Sequence, residues 1–165
     1  MTKVLLKILS GSRGYGTHTD TSDYDIKGVY SPSRQDIFGL NSKIKVMEEK
    51  AGDGYLHEVS GKAVPSDLTL YDFRHFFQLL LESNPHLLDM VFSSPSFILE
   101  MDEVMEVLMS DPTIFLSKKV RETYVGYVIS QIRRAQTHRS WLLNPPERAP
   151  TRKDFDLPSM PELKK

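Results

Sequence analysis

The stretch GSRGYGTHTDTSDYDI, residues 11–26, joins a glycine-rich turn to an acidic pair. Because glycines carry no side chain, such a turn lets backbone N–H groups approach phosphate oxygens, while Ser12 and Arg13 can add a hydrogen bond and a positive charge. Asp23 and Asp25 stand two positions apart, so on a strand both carboxylates project from one face. Carboxylate oxygens of this kind suit Mg²⁺, which is commonly held by one or two carboxylates together with substrate phosphates.

The flanking residues supply the context that this interpretation needs. An apolar run over residues 4–9 precedes the turn, and an alternating run over 25–30 follows the acidic pair, which together predict a strand, a turn and a second strand. Taken alone, the turn over 11–16 could be merely flexible, and the carboxylates could be the solvated face of an amphipathic strand. The two features together favour phosphate and metal chemistry.

The same residues resemble a known family. A Gly-Ser turn followed closely by an Asp-x-Asp strand is similar to the signature of the DNA polymerase beta superfamily of nucleotidyltransferases. A second segment, DLTLYDFRHFFQLLLESNPHLLDMVF at residues 67–92, resembles the branch of predicted nucleotidyltransferases grouped with RNA-repair-pathway enzymes. The resemblance covers most of residues 4–140. It implies an α+β fold, with a small mixed or antiparallel sheet of the nucleotidyltransferase type packed against helices and a helical C-terminal part.

The resemblance also implies a third carboxylate, carried by a later strand beside the first two. Asp67 is the main candidate, because it begins the predicted strand 68–71. Asp72 competes, although its place immediately before Phe73 fits the N-cap of the following helix. Glu58, on the preceding predicted strand, is the remaining alternative.

The activity implied by the resemblance is in-line attack of an acceptor hydroxyl on the α-phosphate of a nucleoside triphosphate, with Mg²⁺ or Mn²⁺ bound and pyrophosphate leaving. The residues that it assigns to catalysis and metal binding are Asp23, Asp25 and Asp67, and those that it assigns to the phosphates are Gly11, Ser12 and Arg13. Lys27 is a weaker candidate by its charge. The acceptor would be RNA or a protein hydroxyl. The alternative is a nucleotide-binding or antitoxin-like module that keeps the fold without catalysis.

The composition is that of a single folded domain. The chain has 165 residues, 39% of them hydrophobic, and no cysteine, which excludes disulfides, thiolate chemistry and cysteine-based zinc sites. The apolar start is too short for a signal peptide and no run is long enough to span a bilayer, so we expect a cytoplasmic protein with no membrane partner. Oligomeric state stays open.

Hydrophobic periodicity and the positions of turn-forming residues predict the organisation of the chain. We expect a nucleotidyltransferase sheet core over residues 1–71, a helical part over 72–144 in the same compact unit, and an extended Pro-rich, charged tail over 145–165. The remaining predicted elements are a hairpin from 43–48 and 55–59, and helices from 72 to about 84, over 86–92, over 98–109 and over 117–141.

Charge is unevenly distributed along the chain. Residues 117–165 hold eleven basic and five acidic side chains, although the whole chain has a net charge of -1. Such a segment could contact a polyanion such as RNA. Arg133, Arg134 and Trp141 could take part, but a helix C-terminus attracts cations for structural reasons, and tryptophan is more often a packing anchor. We expect the structural role here.

Overall fold

A computed structural model describes residues 2–39, 45–59, 61–145, 148–149 and 151–157 of the protein. By its internal contacts the chain forms two compact units, Met1–Tyr124 and Val125–Lys165.

The elements alternate between strands and short helices before one long helix. The strands are β1 Lys3–Ser10, β2 Tyr24–Ser31, β3 Val46–Glu49, β4 Leu56–Val59, β5 Lys62–Asp72 and β6 Ile98–Met101. The α-helices are α1 Gly11–Gly14, α2 Arg34–Phe38, α3 Phe73–Leu81, α4 Pro85–Val91, α5 Glu103–Met109 and α6 Lys119–Leu143. Short 3₁₀ turns lie at Ala51–Asp53, Pro95–Phe97, Pro112–Phe115 and Arg152–Phe155.

The strands form one mixed sheet, which confirms the expected α+β class. Among the described residues its order is β3-β5-β2-β1-β6, with β4 also paired to β5. Strands β1 and β2 run antiparallel, whereas β2 and β5 run parallel. A parallel pair requires a crossover between its strands, and here the crossover carries α2, β3 and β4. The central strands β2 and β5 are therefore adjacent although a long stretch of chain separates them.

One face of the sheet packs against α3, α4 and α5. Apolar side chains from β1 and β2 meet those of the helices in a cluster that includes Leu6, Ile8, Val29, Phe76, Leu80, Leu87, Leu88 and Met105, all at most 2% exposed. Helix α3 begins where the Asp72 side chain accepts a hydrogen bond from the Arg74 N–H, and α4 begins at Asn84 with Pro85 in its first turn. The opposite face has a smaller cluster, formed by Ile26, Tyr30, Leu68 and Leu70.

Two expectations about the elements were wrong. The helix predicted over 98–109 begins only at Glu103, because Ile98–Met101 forms β6 and pairs with β1. The hairpin predicted from 43–48 and 55–59 does not form among the described residues, since β3 and β4 both pair with β5 instead of with each other. Residues 43 and 44 lie outside the described part of the chain.

The second unit contains the greater part of α6 and the turn Arg152–Phe155. Arg148 donates hydrogen bonds to both carboxylate oxygens of Asp154, at 2.8 and 2.6 Å. The apolar stripe of α6, formed by Val125, Val128, Ile129 and Ile132, is 45 to 52% exposed, and Trp141 is 65% exposed. Trp141 is thus not the packing anchor that the sequence suggested. No helix in the described ranges is both long enough and apolar enough to cross a bilayer.

Candidate metal centre and nucleotide site

Strands β2 and β5 bring the candidate carboxylates together. Asp25 is the register partner of Asp67 in the parallel pair, so the two side chains project from the same face on neighbouring strands. Asp23 lies just before β2. One oxygen of each carboxylate lies within 4.8 Å of the others. Three residues from two separate parts of the chain thus form one acidic cluster at the edge of the helix-covered face.

The cluster concentrates negative charge with little compensation. Burial, and after it the charges of Asp23 and Asp67, raise the pKa of Asp25 above its ordinary value, while Lys27 on the same face acts in the opposite direction. Asp67 Oδ1 accepts a hydrogen bond of 2.8 Å from the backbone N–H of Ala51. Within the described part of the chain no group donates a hydrogen bond to the side chains of Asp23 or Asp25. An all-oxygen, anionic set of this kind suits a hard divalent cation such as Mg²⁺ or Mn²⁺.

The glycine-rich turn lies directly against the cluster. Gly11 has a φ of +60°, which favours glycine, and a Cβ built at this position would lie 1.9 Å from Oδ2 of Asp25. Position 11 therefore favours glycine for two reasons, the positive φ and the lack of room for a Cβ, and the second arises from the acidic cluster itself.

Arg13 holds the loop that leads to the acidic pair. Its Nη2 donates to the Ser22 carbonyl at 2.7 Å and its Nε donates to the Asp23 carbonyl at 3.2 Å. Its guanidinium carbon lies 3.9 Å from the centre of the Tyr24 ring, which is half-buried under it. Sequence reasoning assigned Arg13 to phosphate charge and missed this contact with the backbone. The spacing of the motif contains no signal for it.

The two alternatives for the third carboxylate lie elsewhere. Asp72 is 2% exposed, caps α3, and accepts hydrogen bonds from Arg74 Nε and Nη2 at 3.1 and 2.6 Å. Although burial acts to raise it, these hydrogen bonds hold the pKa of Asp72 below its ordinary value. Glu58 is exposed on β4, opposite Ala63, and does not belong to the acidic cluster. Asp67 is the candidate that geometry places beside Asp25.

A second contact of the turn was not foreseen from the sequence. Tyr15, the residue that ends α1, donates a hydrogen bond of 2.9 Å from its hydroxyl to Asp89 Oδ2. The Tyr124 hydroxyl donates to Asp89 Oδ1 at 2.8 Å. Burial, together with the bond to Asp89, strongly raises the pKa of Tyr124. Asp89, on α4, therefore joins the end of the turn to the start of α6.

Comparison with known proteins gives a family match and two curated relatives. The model of the family described as RlaP, RNA repair pathway DNA polymerase beta family, matches residues 1–144. An uncharacterized 38.9 kDa protein in the nrdC-mobD intergenic region of Enterobacteria phage T4 is 28% identical over 133 residues, covering 78% of this chain and 38% of that protein. The uncharacterized protein YcgL of Bacillus subtilis (strain 168) is 31% identical over 91 residues, covering 55% of this chain and 31% of that protein.

The chain spans well under half the length of either relative. No solved structure gives a significant match.

Proposed function

The chain belongs to the RNA repair pathway DNA polymerase beta family, and from this membership we propose that it is a nucleotidyltransferase that depends on Mg²⁺ or Mn²⁺. It transfers a nucleoside monophosphate from a nucleoside triphosphate to a hydroxyl acceptor and releases pyrophosphate. One observation carries the proposal, which is that Asp23, Asp25 and Asp67 offer oxygens within 4.8 Å of one another beside a glycine turn that has no room for a side chain.

The acidic cluster fits the metal that this chemistry uses. Asp23, Asp25 and Asp67 would hold the metal, which supplies charge stabilisation at the phosphates and lowers the pKa of the acceptor hydroxyl. Burial is the largest cause of the raised pKa of Asp25, and the charges of Asp23 and Asp67 add to it; a bound cation would relieve both, which supports the assignment.

The chain's own residues would bind and orient the triphosphate. The absence of a side chain at Gly11 lets the Asp25 carboxylate lie directly against the backbone of the turn, and the Ser12 hydroxyl can donate to a phosphate oxygen. The acceptor oxygen forms a bond to the α-phosphorus as the bond from that phosphorus to the pyrophosphate oxygen breaks, and the acceptor proton passes to solvent. Arg13 has two functions in this proposal. It holds the Asp23 loop, and its charge offsets that of the leaving pyrophosphate.

We propose RNA as the acceptor. The support comes from the second unit taken by itself, where α6 exposes Arg133, Arg134, His138, Arg139 and Trp141. A basic surface that includes an exposed aromatic ring can contact phosphates and stack on an unpaired base. The net positive charge of residues 117–165 agrees with this.

The test is transfer of label from each of four α-³²P nucleoside triphosphates to total RNA or to protein, with Mg²⁺ or Mn²⁺. Asp23→Asn, Asp25→Asn and Asp67→Asn are each expected to abolish labelling. Asp20→Asn is the matched control, because Asp20 is an exposed carboxylate of the same loop outside the acidic cluster, and this variant should label as the wild type does.

Labelled protein in place of labelled RNA would correct the acceptor and keep the activity. Tight, metal-dependent nucleotide binding without any transfer would instead favour the non-catalytic module. Labelling that survives all three cluster substitutions would refute the assignment of these residues.

A further inference from the structure

A cavity lies next to the acidic cluster, between the turn and α4. Its volume is about 230 Å³, and Ser10, Tyr15, Asp89 and Ser93 are among the residues that line it. Ser10 is the register partner of Asp25 across the β1–β2 pair, so the cavity begins one strand away from the carboxylates. A group bound there would be a direct neighbour of anything bound at the cluster.

The volume and the walls restrict what the cavity can hold. Pockets for whole ligands of drug size occupy roughly 300 to 1,000 Å³, so this cavity suits one part of a ligand. Ile8, Met90, Phe92 and Phe97 supply apolar and aromatic walls, which suit a flat, apolar ring.

The charge of the cavity argues against a phosphate as its occupant. Asp89 contributes a carboxylate that is oriented by the hydroxyls of Tyr15 and Tyr124. His86 also lines the cavity, and partial desolvation of its ring, followed by the charge of Lys27, lowers its pKa, so that the imidazole is neutral near pH 7. The Asp89 carboxylate thus gives one side of the cavity a negative charge that the neutral His86 does not offset.

The Asp89 carboxylate can accept further hydrogen bonds. An ionised carboxylate has about four lone-pair sites, and the two tyrosine hydroxyls use one on each oxygen. Because the group is an acceptor only, a ligand can satisfy it only with a hydrogen-bond donor, and an N–H group is such a donor. A flat ring with an amino group at its edge satisfies both the walls and Asp89.

We propose that this cavity binds a nucleobase that carries an exocyclic amino group, and that Asp89 accepts a hydrogen bond from that group. The inference rests on the proposed function, since it extends the phosphate and metal site by a nucleoside subsite. Adenine, cytosine and guanine carry such a group, whereas uracil does not. The base belongs either to the donor triphosphate or to the end of an RNA acceptor, and these two sources share the same chemistry.

The experiment measures dissociation constants by calorimetry on the full chain with Mg²⁺. The probes are ATP, UTP, inorganic tripolyphosphate, and short oligo(A) and oligo(U) without a triphosphate. Ser93→Leu fills the cavity and removes one hydrogen bond, from Ser93 Oγ to the Asp89 carbonyl. Ser110→Leu is the matched control, because it removes one hydrogen bond of the same kind, from Ser110 Oγ to the Val107 carbonyl, and Ser110 does not line the cavity. Circular dichroism checks that both variants are folded.

If the base belongs to the donor, ATP should bind at least about tenfold more tightly than UTP or tripolyphosphate, because its amino group donates a hydrogen bond to the charged Asp89 carboxylate. Ser93→Leu should remove this preference and Ser110→Leu should keep it. If the base belongs to the acceptor, the same pattern should appear for oligo(A) over oligo(U). Asp89→Asn should bring ATP and UTP, or the two oligonucleotides, to similar affinity.

Two failures are distinguishable. If tripolyphosphate binds but neither pair of probes shows a preference that depends on Ser93, the cavity proposal is overturned and the phosphate site stands. If neither tripolyphosphate nor any nucleotide binds in the presence of Mg²⁺, the proposed function fails, and the cavity proposal fails with it.

Discussion

Replacing Asp25 by asparagine should stabilise the metal-free protein. The substitution removes one charge from a group whose oxygens lie within 4.8 Å of one another, and an amide has nearly the same shape as a carboxylate. No group in the described part of the chain donates a hydrogen bond to the Asp25 side chain, so no such bond is lost. The wild-type residue is therefore retained at a cost to stability.

The magnitude follows from the separation of the charges. Two unit charges 4.8 Å apart repel by about 0.9 kcal/mol in water and by about 3.5 kcal/mol at an effective dielectric constant of 20. The cluster is half-exposed and the Debye length at physiological salt is about 8 Å, which favours the lower end. The substitution removes the repulsion of Asp25 with both Asp23 and Asp67. We therefore expect the free energy of unfolding to rise by about 1 to 3 kcal/mol, or Tm by roughly 3 to 8 °C.

The sign of the pH dependence is fixed by the raised pKa of Asp25. A carboxyl group whose pKa is higher in the folded protein destabilises that protein most above the folded pKa, and the penalty disappears below the ordinary pKa of an aspartate, about 3.9. The advantage of Asp25→Asn should therefore be complete at pH 7 and should vanish as the pH falls below about 4.

The assay is thermal or urea unfolding, first with a chelator and then with Mg²⁺. Wild type should gain about 2.7 kcal/mol when Mg²⁺ is present at a hundred times its dissociation constant, and Asp25→Asn should gain little. Asp20→Asn should behave as wild type in both conditions. The reasoning is refuted if Asp25→Asn is less stable than wild type with the chelator, or if Mg²⁺ stabilises both proteins equally.

Three further substitutions test separate parts of the site. Gly11→Ala should abolish Mg²⁺ binding in titration calorimetry, because its Cβ would collide with Asp25. Gly16→Ala is the control, because it has a φ of +70° but no atom within 4 Å of its Cβ, and it should lose only about 1 kcal/mol of stability. Equal Mg²⁺ affinity in the two variants would contradict this. Asp72→Ala should keep Mg²⁺ binding but lose about 1 to 2 kcal/mol in urea unfolding, since it removes a helix cap and an ion pair whose Arg74 partner is half-exposed. Loss of metal binding in the folded variant would reinstate Asp72 as a ligand. Arg13→Met should weaken Mg²⁺ binding through release of the loop carbonyls while leaving the stability with chelator within about 1 kcal/mol; unchanged affinity would exclude the positioning role.

Local patterns predicted the parts of the fold that are determined locally. The apolar run at 4–9, the alternation at 25–30 and the helical spacing after Asp72 each describe one element, and β1, β2 and α3 form there. The stretch 98–101 was placed in a helix because a short apolar run does not distinguish helix from strand. It becomes β6 because the free edge of β1 is available to it, with Leu6 opposite Met101.

The candidate site was predicted to a similar extent. The turn and the pair Asp23 and Asp25 are contiguous in sequence, and Asp67 was singled out by its position at a predicted strand start. Its placement opposite Asp25 depends on parallel pairing, which local patterns do not encode. The contacts of Arg13 with backbone carbonyls and of Asp89 with two tyrosines also join distant segments, so periodicity and spacing carried no sign of them.

The parallel β2–β5 pair also affects how fast the protein can fold. Asp25 and Asp67 are about forty residues apart in sequence, and their strands can meet only after a long loop has closed, which is a slow step in folding. The acidic cluster is complete only once β5 has docked. A chain emerging from the ribosome would lack the site until that strand is free, so metal binding would report the docking of β5 onto β2 and would stabilise that pair.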